Sequence, residues 1–267
     1  ERAREELAAT GARVLAVPCD VTDRKQVAEL VAAARQRFGA VDVLVNNAGL
    51  IQVGPLESQT LEDFEASINL HFWAPLFTTL AVLPEMQSRR EGRIVNIASI
   101  GGKISTPHLL PYCCGKFALV GLSEGLRAEL AKDNVRVTTV TPGLMRTGSP
   151  LQASFKGKHR EEYAWFSISD SLPMTSISAE RAARQILAAC KRGDAELAIS
   201  WFAQCAIPLQ GLFPGPTADL LGVLNRLLPT AEGTGTRSFK GFESETPIAR
   251  KLAASSYAAA RRNNEFG

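Results

Sequence analysis

Short apolar runs alternate along the chain with longer segments whose apolar positions recur at helical spacing. The runs RVLAVPC, VDVLV, RIVNIA and VRVTTV are too short for helices and are rich in β-branched residues, which is typical of buried strands. Strands that alternate with helices predict βαβ units and a parallel sheet. The predicted strands are residues 13–19, 41–45, 93–98, 135–140 and 196–200. The predicted helices are residues 23–38, 61–84, 111–132, 179–192 and 217–228.

The pattern weakens in two regions. Residues 148–178 carry Trp165, Phe166 and Pro173 without a clear period, and we expect an irregular segment that covers a substrate. After residue 200 only one apolar helix is indicated, and residues 233–247 favour a loop. We therefore predict one α/β domain over residues 1–200 and a part-helical extension over residues 201–267.

Two stretches, residues 66–84 and 197–218, contain no charged side chain. The first holds Asn69, His71 and Pro75, which favours a buried interface helix. The second contains three prolines, which oppose a continuous membrane-crossing helix. A peripheral membrane contact by this second stretch stays an open alternative.

Charge and cysteine content exclude some functions. The 267 residues include 30 Lys and Arg against 27 Asp and Glu, a net charge of +3 without a basic stripe, so no nucleic-acid partner is expected. Five cysteines without a CxxC pair argue against a disulfide framework or a zinc site. They favour a reducing compartment, and we expect a cytoplasmic protein.

The candidate chemistry lies around a tyrosine. Tyr112 and Lys116 are four residues apart in a predicted helix and so share one face. A phenol has a pKa of about 10, and a nearby ammonium lowers it toward the working range of an acid–base catalyst. Ser99 follows a predicted strand, at the edge where parallel sheets bind ligands. Taken alone, a helical Tyr and Lys pair is more often a solvated surface.

The order of further motifs along the chain favours a catalytic role for this pair over a solvated surface. They are Asn-Asn-Ala-Gly at 46–49, Asn69, Ser99, Tyr112 with Lys116, and Pro-Gly at 142–143 with Thr147. Over residues 10–200 this order resembles the short-chain dehydrogenase/reductase family. The resemblance implies a Rossmann-like, doubly wound sheet that binds NAD or NADP.

The resemblance also implies a role for each motif residue. Tyr112 would be the general acid in carbonyl reduction and the general base in alcohol oxidation. Lys116 would lower the Tyr112 pKa and bind the nicotinamide ribose, and Ser99 would orient the carbonyl. Asn69 would hold a water in a proton relay to Lys116. The residues implied beside the cofactor are Asp20, Asn46, Ala48, Gly49, Tyr112, Lys116, Pro142, Gly143 and Thr147.

Several of these residues have simpler interpretations. Asp20 could only cap the helix that follows it, and Asn46 with Asn47 could only close a turn. We expect His71 to be an interface residue, and His108 to be an exposed loop histidine.

The family's glycine-rich phosphate-binding turn is absent from this sequence. Gly233-Thr234-Gly235 near the C-terminus precedes no βαβ unit and is not a substitute. Two strands and a helix that open the family's fold are unaccounted for, which leaves two alternatives: a truncated sequence or a natural chain without the loop. We expect residues 13–19 to lack a neighbour and residues 41–45 to form an unpaired edge. The residue that determines the preference for NAD or NADP in this family also lies outside this sequence.

The sequence thus predicts an NAD(P)-dependent oxidoreductase that interconverts an alcohol and a ketone or aldehyde, with a small-molecule substrate. Helices 61–84 and 111–132 resemble the family's dimer interface, so a homodimer or homotetramer is expected. One alternative is a non-catalytic, truncated relative that acts as a binding or interaction protein. Another is an epimerase or dehydratase with the same Tyr and Lys pair, for which the residues after 200 are too few.

Overall fold

The computed structural model describes residues 2–171 and 176–263, and its centre is a parallel sheet. Four parallel strands are ordered β1-β3-β4-β8 in this sheet. The strands are β1 Val43–Asn46, β2 Gln52–Val53, β3 Gly92–Ile97, β4 Val135–Pro142, β5 Leu144–Arg146, β6 Ser154–Phe155, β7 Ser176–Ser178, β8 Glu196–Ile199 and β9 Phe239–Lys240.

Helices surround the sheet and continue beyond it. They are α1 Arg2–Ala8, α2 Arg24–Phe38, α3 Leu61–Ile68, α4 Ala74–Arg89, α5 Leu110–Leu130, α6 Ser149–Gln152, α7 His159–Ser171, α8 Ala179–Arg192, α9 Trp201–Leu212, α10 Pro214–Asn225, α11 Gly241–Ser244, α12 Pro247–Leu252 and α13 Ala254–Arg262. A π-helical turn, Asn69–Trp73, joins α3 to α4.

The central strands β3 and β4 bury side chains on both faces, as their unbroken apolar runs predict. On one face Ile94 and Val137 pack with α2, α4 and α5 through residues such as Met86. On the other face Val95 and Val140 pack against α8. Helices on both faces of a parallel sheet confirm the predicted doubly wound α/β class.

Residues 148–171 and 176–178 are not irregular, so the prediction was wrong for the described part of this segment. They form α6, β6, α7 and β7, and β6 pairs with β2 and with β9 from the C-terminal region. Phe155, Tyr163 and Phe166 form a cluster there with Ala249 and Ala260. We call α6, α7, β6, β9 and α11–α13 the covering unit. Pro173 lies outside the described residues.

The predicted strand at residues 13–19 is not formed, because a strand needs a neighbour to pair with its backbone. β1 is an edge of the four-stranded sheet, and its Val43 and Val45 are 46% and 48% exposed. Both observations match the expectation that residues 13–19 and the first sheet strand lack partners.

The remaining boundaries differ in detail. α9 was not predicted and forms with Pro208 inside it, and α10 begins at Pro214 rather than residue 217. Most large apolar side chains of this helix pair are exposed, Leu212 most of all, and Leu227 just after α10 is exposed as well. Within residues 2–171 and 176–263, one helical stretch, Leu61–Arg89, is long and apolar enough to cross a membrane by length and composition alone. Its Val82 and Met86 are buried in the core of this structure.

Candidate active site

The candidate site lies where the carboxyl ends of three neighbouring strands meet. Residues 46–49 follow β1, Ser99 follows β3, and Gly143 follows β4. The parallel register, with Asn46 beside Asn96 and Ile97 beside Val140, brings these ends to one edge of the sheet. Helix α5 contributes the remaining groups, so the topology assembles a site from segments far apart in the sequence.

Helix α5 presents Tyr112 and Lys116 toward this edge. Lys116 is buried, and its Nζ donates a hydrogen bond to the Ile97 carbonyl oxygen at 2.8 Å. The same Nζ lies 5.7 Å from the centre of the Tyr112 ring. Ser99 accepts a hydrogen bond from the Gly101 N–H at 3.0 Å and also hydrogen-bonds to Tyr112. The structure therefore brings the three residues together as their spacing predicts.

The charge balance of the pair differs from the expectation. Burial raises the pKa of Tyr112, the Ser99 hydrogen bond opposes that rise, and the nearby Cys113 and Asp170 add to it. Burial also lowers the pKa of Lys116 to about 7, so its positive charge is partly lost at neutral pH. Burial dominates the Tyr112 pKa, and Lys116 is not among the groups that shift it here, so the expected lowering of this pKa by Lys116 stays a prediction.

His71, rather than Asn69, lies against the Tyr112 ring. Asn69 is exposed, whereas His71 is fully buried and meets the ring edge to face at a centroid distance of 5.4 Å. His71 Nε2 accepts a hydrogen bond from the Leu50 N–H at 3.3 Å, and its Nδ1 lies 3.1 Å from Ser67 Oγ. The geometry therefore gives Asn69 no contact with the pair, and it corrects the interpretation of His71 as an interface residue.

The His71 ring is held neutral in one tautomer. Burial, followed by the Lys116 charge, lowers its pKa to about 2. Since Nε2 accepts a hydrogen bond from the Leu50 N–H, the ring hydrogen must be on Nδ1 and must point to Ser67 Oγ. Asp63, Ser67 and His71 are buried at four-residue spacing. This polar stripe on a helix was the sequence signal for His71.

Asn46 is held by the scaffold below the site. Its Nδ2 donates to Asn96 Oδ1 at 2.8 Å, and its Oδ1 accepts from the Thr78 hydroxyl at 2.6 Å. Asn96 continues the network to Ser123 Oγ at 3.0 Å, which in turn bonds to Thr139. The Asn46 side chain thus fixes the position of the loop after β1.

The next residues form an open surface at the same edge. Ala48 and Gly49 are exposed. A Cβ at position 49 would lie 3.3 Å from His71 Nε2 and 3.8 Å from Lys116 Nζ, so glycine leaves the space there open. Pro142 and Thr147 are buried near the end of β4, and the Thr147 hydroxyl bonds to Ser149 Oγ at 2.9 Å.

Asp20 is exposed. Within the described chain, no contact joins it to the other predicted site residues. Its carboxylate accepts hydrogen bonds from the Thr22 N–H and hydroxyl, which lower its pKa. Asp23, not Asp20, is the N-cap of α2. Asp20 therefore closes a local turn in this structure.

The covering unit contributes groups that the sequence did not single out. His108 is buried rather than exposed, and its Nδ1 lies 2.8 Å from the buried Glu162 Oε1. Trp165 also donates to Glu162, at 2.7 Å. Tyr112 packs against the apolar cluster that contains Phe166. Aromatic side chains therefore wall the site, as expected for Trp165 and Phe166.

Comparison with known proteins agrees with this architecture. The family model described as short chain dehydrogenase matches residues 1–156. An uncharacterized oxidoreductase of Staphylococcus saprophyticus is 41% identical over 128 residues, which cover 48% of this chain and 55% of that protein. The oxidoreductase UcpA of Escherichia coli is 36% identical over 148 residues, covering 55% of this chain and 56% of UcpA. The chain thus spans about half the length of the curated relatives it matches.

A solved structure extends the similarity over more of the chain. The short-chain dehydrogenase from Streptomyces avermitilis superimposes with a TM-score of 0.68 and 32% identity, covering 84% of each chain. Fold and site together define a doubly wound α/β protein of the dinucleotide-binding class. The family model matches more than half of the chain, and this match identifies the family within that class. This chain belongs to the short-chain dehydrogenase family.

Proposed function

We propose that the protein is an NAD(P)-dependent oxidoreductase that interconverts an alcohol with a ketone or aldehyde, with Tyr112 as the acid–base group. The observation that carries this proposal is the convergence of Tyr112, Ser99 and Lys116 at the carboxyl edge of the sheet. A partly buried phenol beside a buried lysine costs desolvation energy, and such perturbed groups are typical of catalytic sites.

The residues at the edge of the sheet fit the nicotinamide end of a dinucleotide. Gly49 has no side chain, and the exposed Ala48 and Gly49 leave room for a flat ring and its ribose beside Lys116. Lys116 Nζ would bind the ribose hydroxyls, and Pro142 and Gly143 would lie beside the ring. The bound cofactor supplies or accepts the hydride. The choice between NAD and NADP stays open.

The proton moves at the Tyr112 hydroxyl. In reduction, Tyr112 gives its proton to the oxygen of the carbonyl, and the C=O bond becomes C–OH as the hydride reaches carbon. In oxidation, the Tyr112 phenolate takes the proton from the alcohol oxygen. The Ser99 hydroxyl hydrogen-bonds to Tyr112 and to the substrate oxygen, so it holds the two oxygens in line. His71 fixes the Tyr112 ring by edge contact.

The assembly and location of the protein are part of the proposal. Trp73 in the π-helical turn before α4, Leu80 on α4 and Phe117 on α5 are exposed by 43%, 52% and 44%, which supports pairing of two copies through these helices. Cys113 and Cys190 are buried free thiols, which is consistent with a reducing compartment such as the cytoplasm. Light scattering on the purified full-length protein tests the expected homodimer or homotetramer.

The test of the acid–base role is Tyr112→Phe in the full-length protein, assayed with NADH and NADPH on a panel of ketones. Turnover should fall by about 10²- to 10⁴-fold, while cofactor affinity by fluorescence titration stays unchanged. Tyr257→Phe is the matched control, because its hydroxyl bonds to Tyr163 in the covering unit, 2.6 Å away. Turnover in Tyr112→Phe equal to that of the control would refute the role of Tyr112.

A further inference from the structure

One acidic side chain of the covering unit is buried beside the site without a role in the proposed reaction. Asp170 lies in the last turn of α7 and is 6% exposed. It is one helical turn beyond Phe166, which packs in the same apolar cluster as Tyr112. Its charge is also the last of the causes that raise the Tyr112 pKa, so its electrostatic effect extends to the phenol.

Two other buried carboxyls of the chain have partners. Glu162 accepts hydrogen bonds from His108 and Trp165, and Asp63 pairs with Lys156 and accepts from Gln52 at 3.2 Å. Within residues 2–171 and 176–263, the side-chain carboxyl of Asp170 forms no hydrogen bond and no ion pair. Burial alone raises its pKa to about 8. A buried polar group without a partner costs about 1–3 kcal/mol, so this carboxyl stands out from the other two.

We propose that Asp170 binds the substrate, through a hydrogen bond to a second oxygen of that molecule, separate from the one that reacts at Tyr112. A carboxyl that is protonated at neutral pH has one O–H donor and one carbonyl acceptor. It therefore complements a hydroxyl, which both donates and accepts, or a second carbonyl. Phe166, one helical turn away on α7, complements the carbon skeleton of such a molecule.

This assignment names a substrate class and rests on the proposed function. The substrate is a largely apolar ketone or alcohol that carries one further hydroxyl or carbonyl at a distance from the reacting carbon. An apolar pocket alone discriminates weakly against an added hydroxyl, whereas a pocket with a buried polar group rejects the analogue that leaves this group unpaired. Asp170 is thus the specificity group, and Tyr112 with Ser99 holds the reacting oxygen.

The experiment measures turnover of matched ketone pairs by the full-length protein. Each pair consists of a plain ketone and an analogue that carries one added hydroxyl at a distance from the carbonyl carbon. Wild type should favour the hydroxylated member by about tenfold in kcat/KM, the equivalent of one well-made hydrogen bond. Asp170→Leu, which is similar in volume, should abolish this preference while it preserves or improves kcat/KM for the plain ketone. Asp170→Asn, which keeps a donor and an acceptor, should retain most of the preference.

The outcomes separate the two proposals. If ketones are turned over and the wild-type preference survives in Asp170→Leu, the assignment of Asp170 is wrong and the oxidoreductase proposal stands. The same holds if wild type shows no preference for any hydroxylated member. If no ketone or alcohol of the panel is turned over with NADH, NADPH or their oxidised forms, the proposed function fails and the assignment of Asp170 fails with it.

Discussion

Gly115 offers a direct test of how closely α3 and α5 pack around the site. It lies between Tyr112 and Lys116 in the sequence of α5 and faces the polar stripe of the neighbouring helix. A methyl carbon at position 115 would lie 2.6 Å from Ser67 Oγ, 2.8 Å from His71 Nδ1 and 2.9 Å from the Ser67 carbonyl oxygen. Favourable contacts of this kind are about 3.5–4.0 Å long, so all three would be strongly repulsive.

The magnitude follows from two opposing effects. Overpacking of a close-packed site costs about 1–3 kcal/mol, and the upper end applies because backbone and a buried ring are both struck. Replacing a helical glycine by alanine returns about 1 kcal/mol of helix propensity. Gly115→Ala should therefore lower the free energy of unfolding by about 2 kcal/mol. It should also lower kcat, because relief of the clash moves His71 away from the Tyr112 ring.

Urea denaturation of the full-length protein measures the first effect. Gly125→Ala in α5 and Gly222→Ala in α10 are the controls, because a Cβ at either position meets no atom within 4 Å. Both controls should be neutral or more stable than wild type by up to about 1 kcal/mol. A Gly115→Ala variant as stable as these controls would refute the close approach of the two helices.

Three further predictions concern buried charge. Burial lowers the Lys116 pKa from 10.5 to about 7, so the folded protein loses this proton before the unfolded chain does. Stability should rise by about 1.4 kcal/mol per unit between pH 7 and 10.5, and Lys116→Met should lack this slope in urea titrations; equal slopes would contradict the assignment. Burial lowers the His71 pKa from 6.5 to about 2, so stability is lost as the pH falls below 6.5. His71→Gln should show less of this loss in acid denaturation, and an unaltered acid profile would count against a neutral His71. Lys156→Met leaves Asp63 without its buried cation and should cost about 3–5 kcal/mol in thermal unfolding, part of which Asp63→Asn restores; an unchanged melting temperature would exclude a buried pair.

The sequence predicts the central α/β layers well because they depend on local periodicity. The strands β3 and β4 and the helix α5 lie within a few residues of their predicted positions. The Tyr112 and Lys116 pair follows from a four-residue spacing in a regular helix. Ser99 follows from its place after a strand, so its position depends only on sheet topology.

Other features depend on contacts that a single sequence does not display. Residues 13–19 have strand composition, but strand formation requires a paired neighbour. Helix α7 mixes serines with aromatic residues and has little intrinsic helix propensity, so it is stabilised by burial of Tyr163 and Phe166. The π-helical turn at Asn69–Trp73 breaks the 3.6-residue period, so the regular helix predicted over residues 61–84 does not show that His71 is the side chain packed against Tyr112.

The attachment of α7 to the loop before Tyr112 joins the covering unit to the candidate site. His108 has a left-handed backbone with φ of 63°, its carbonyl accepts a hydrogen bond from the Gly54 N–H at 2.8 Å, and its ring bonds to Glu162 of α7. An outward movement of α7 would break this buried polar contact, which lies four residues before Tyr112. The position of α7 and that of the loop before Tyr112 are therefore coupled, so we expect a shift in one to displace the other.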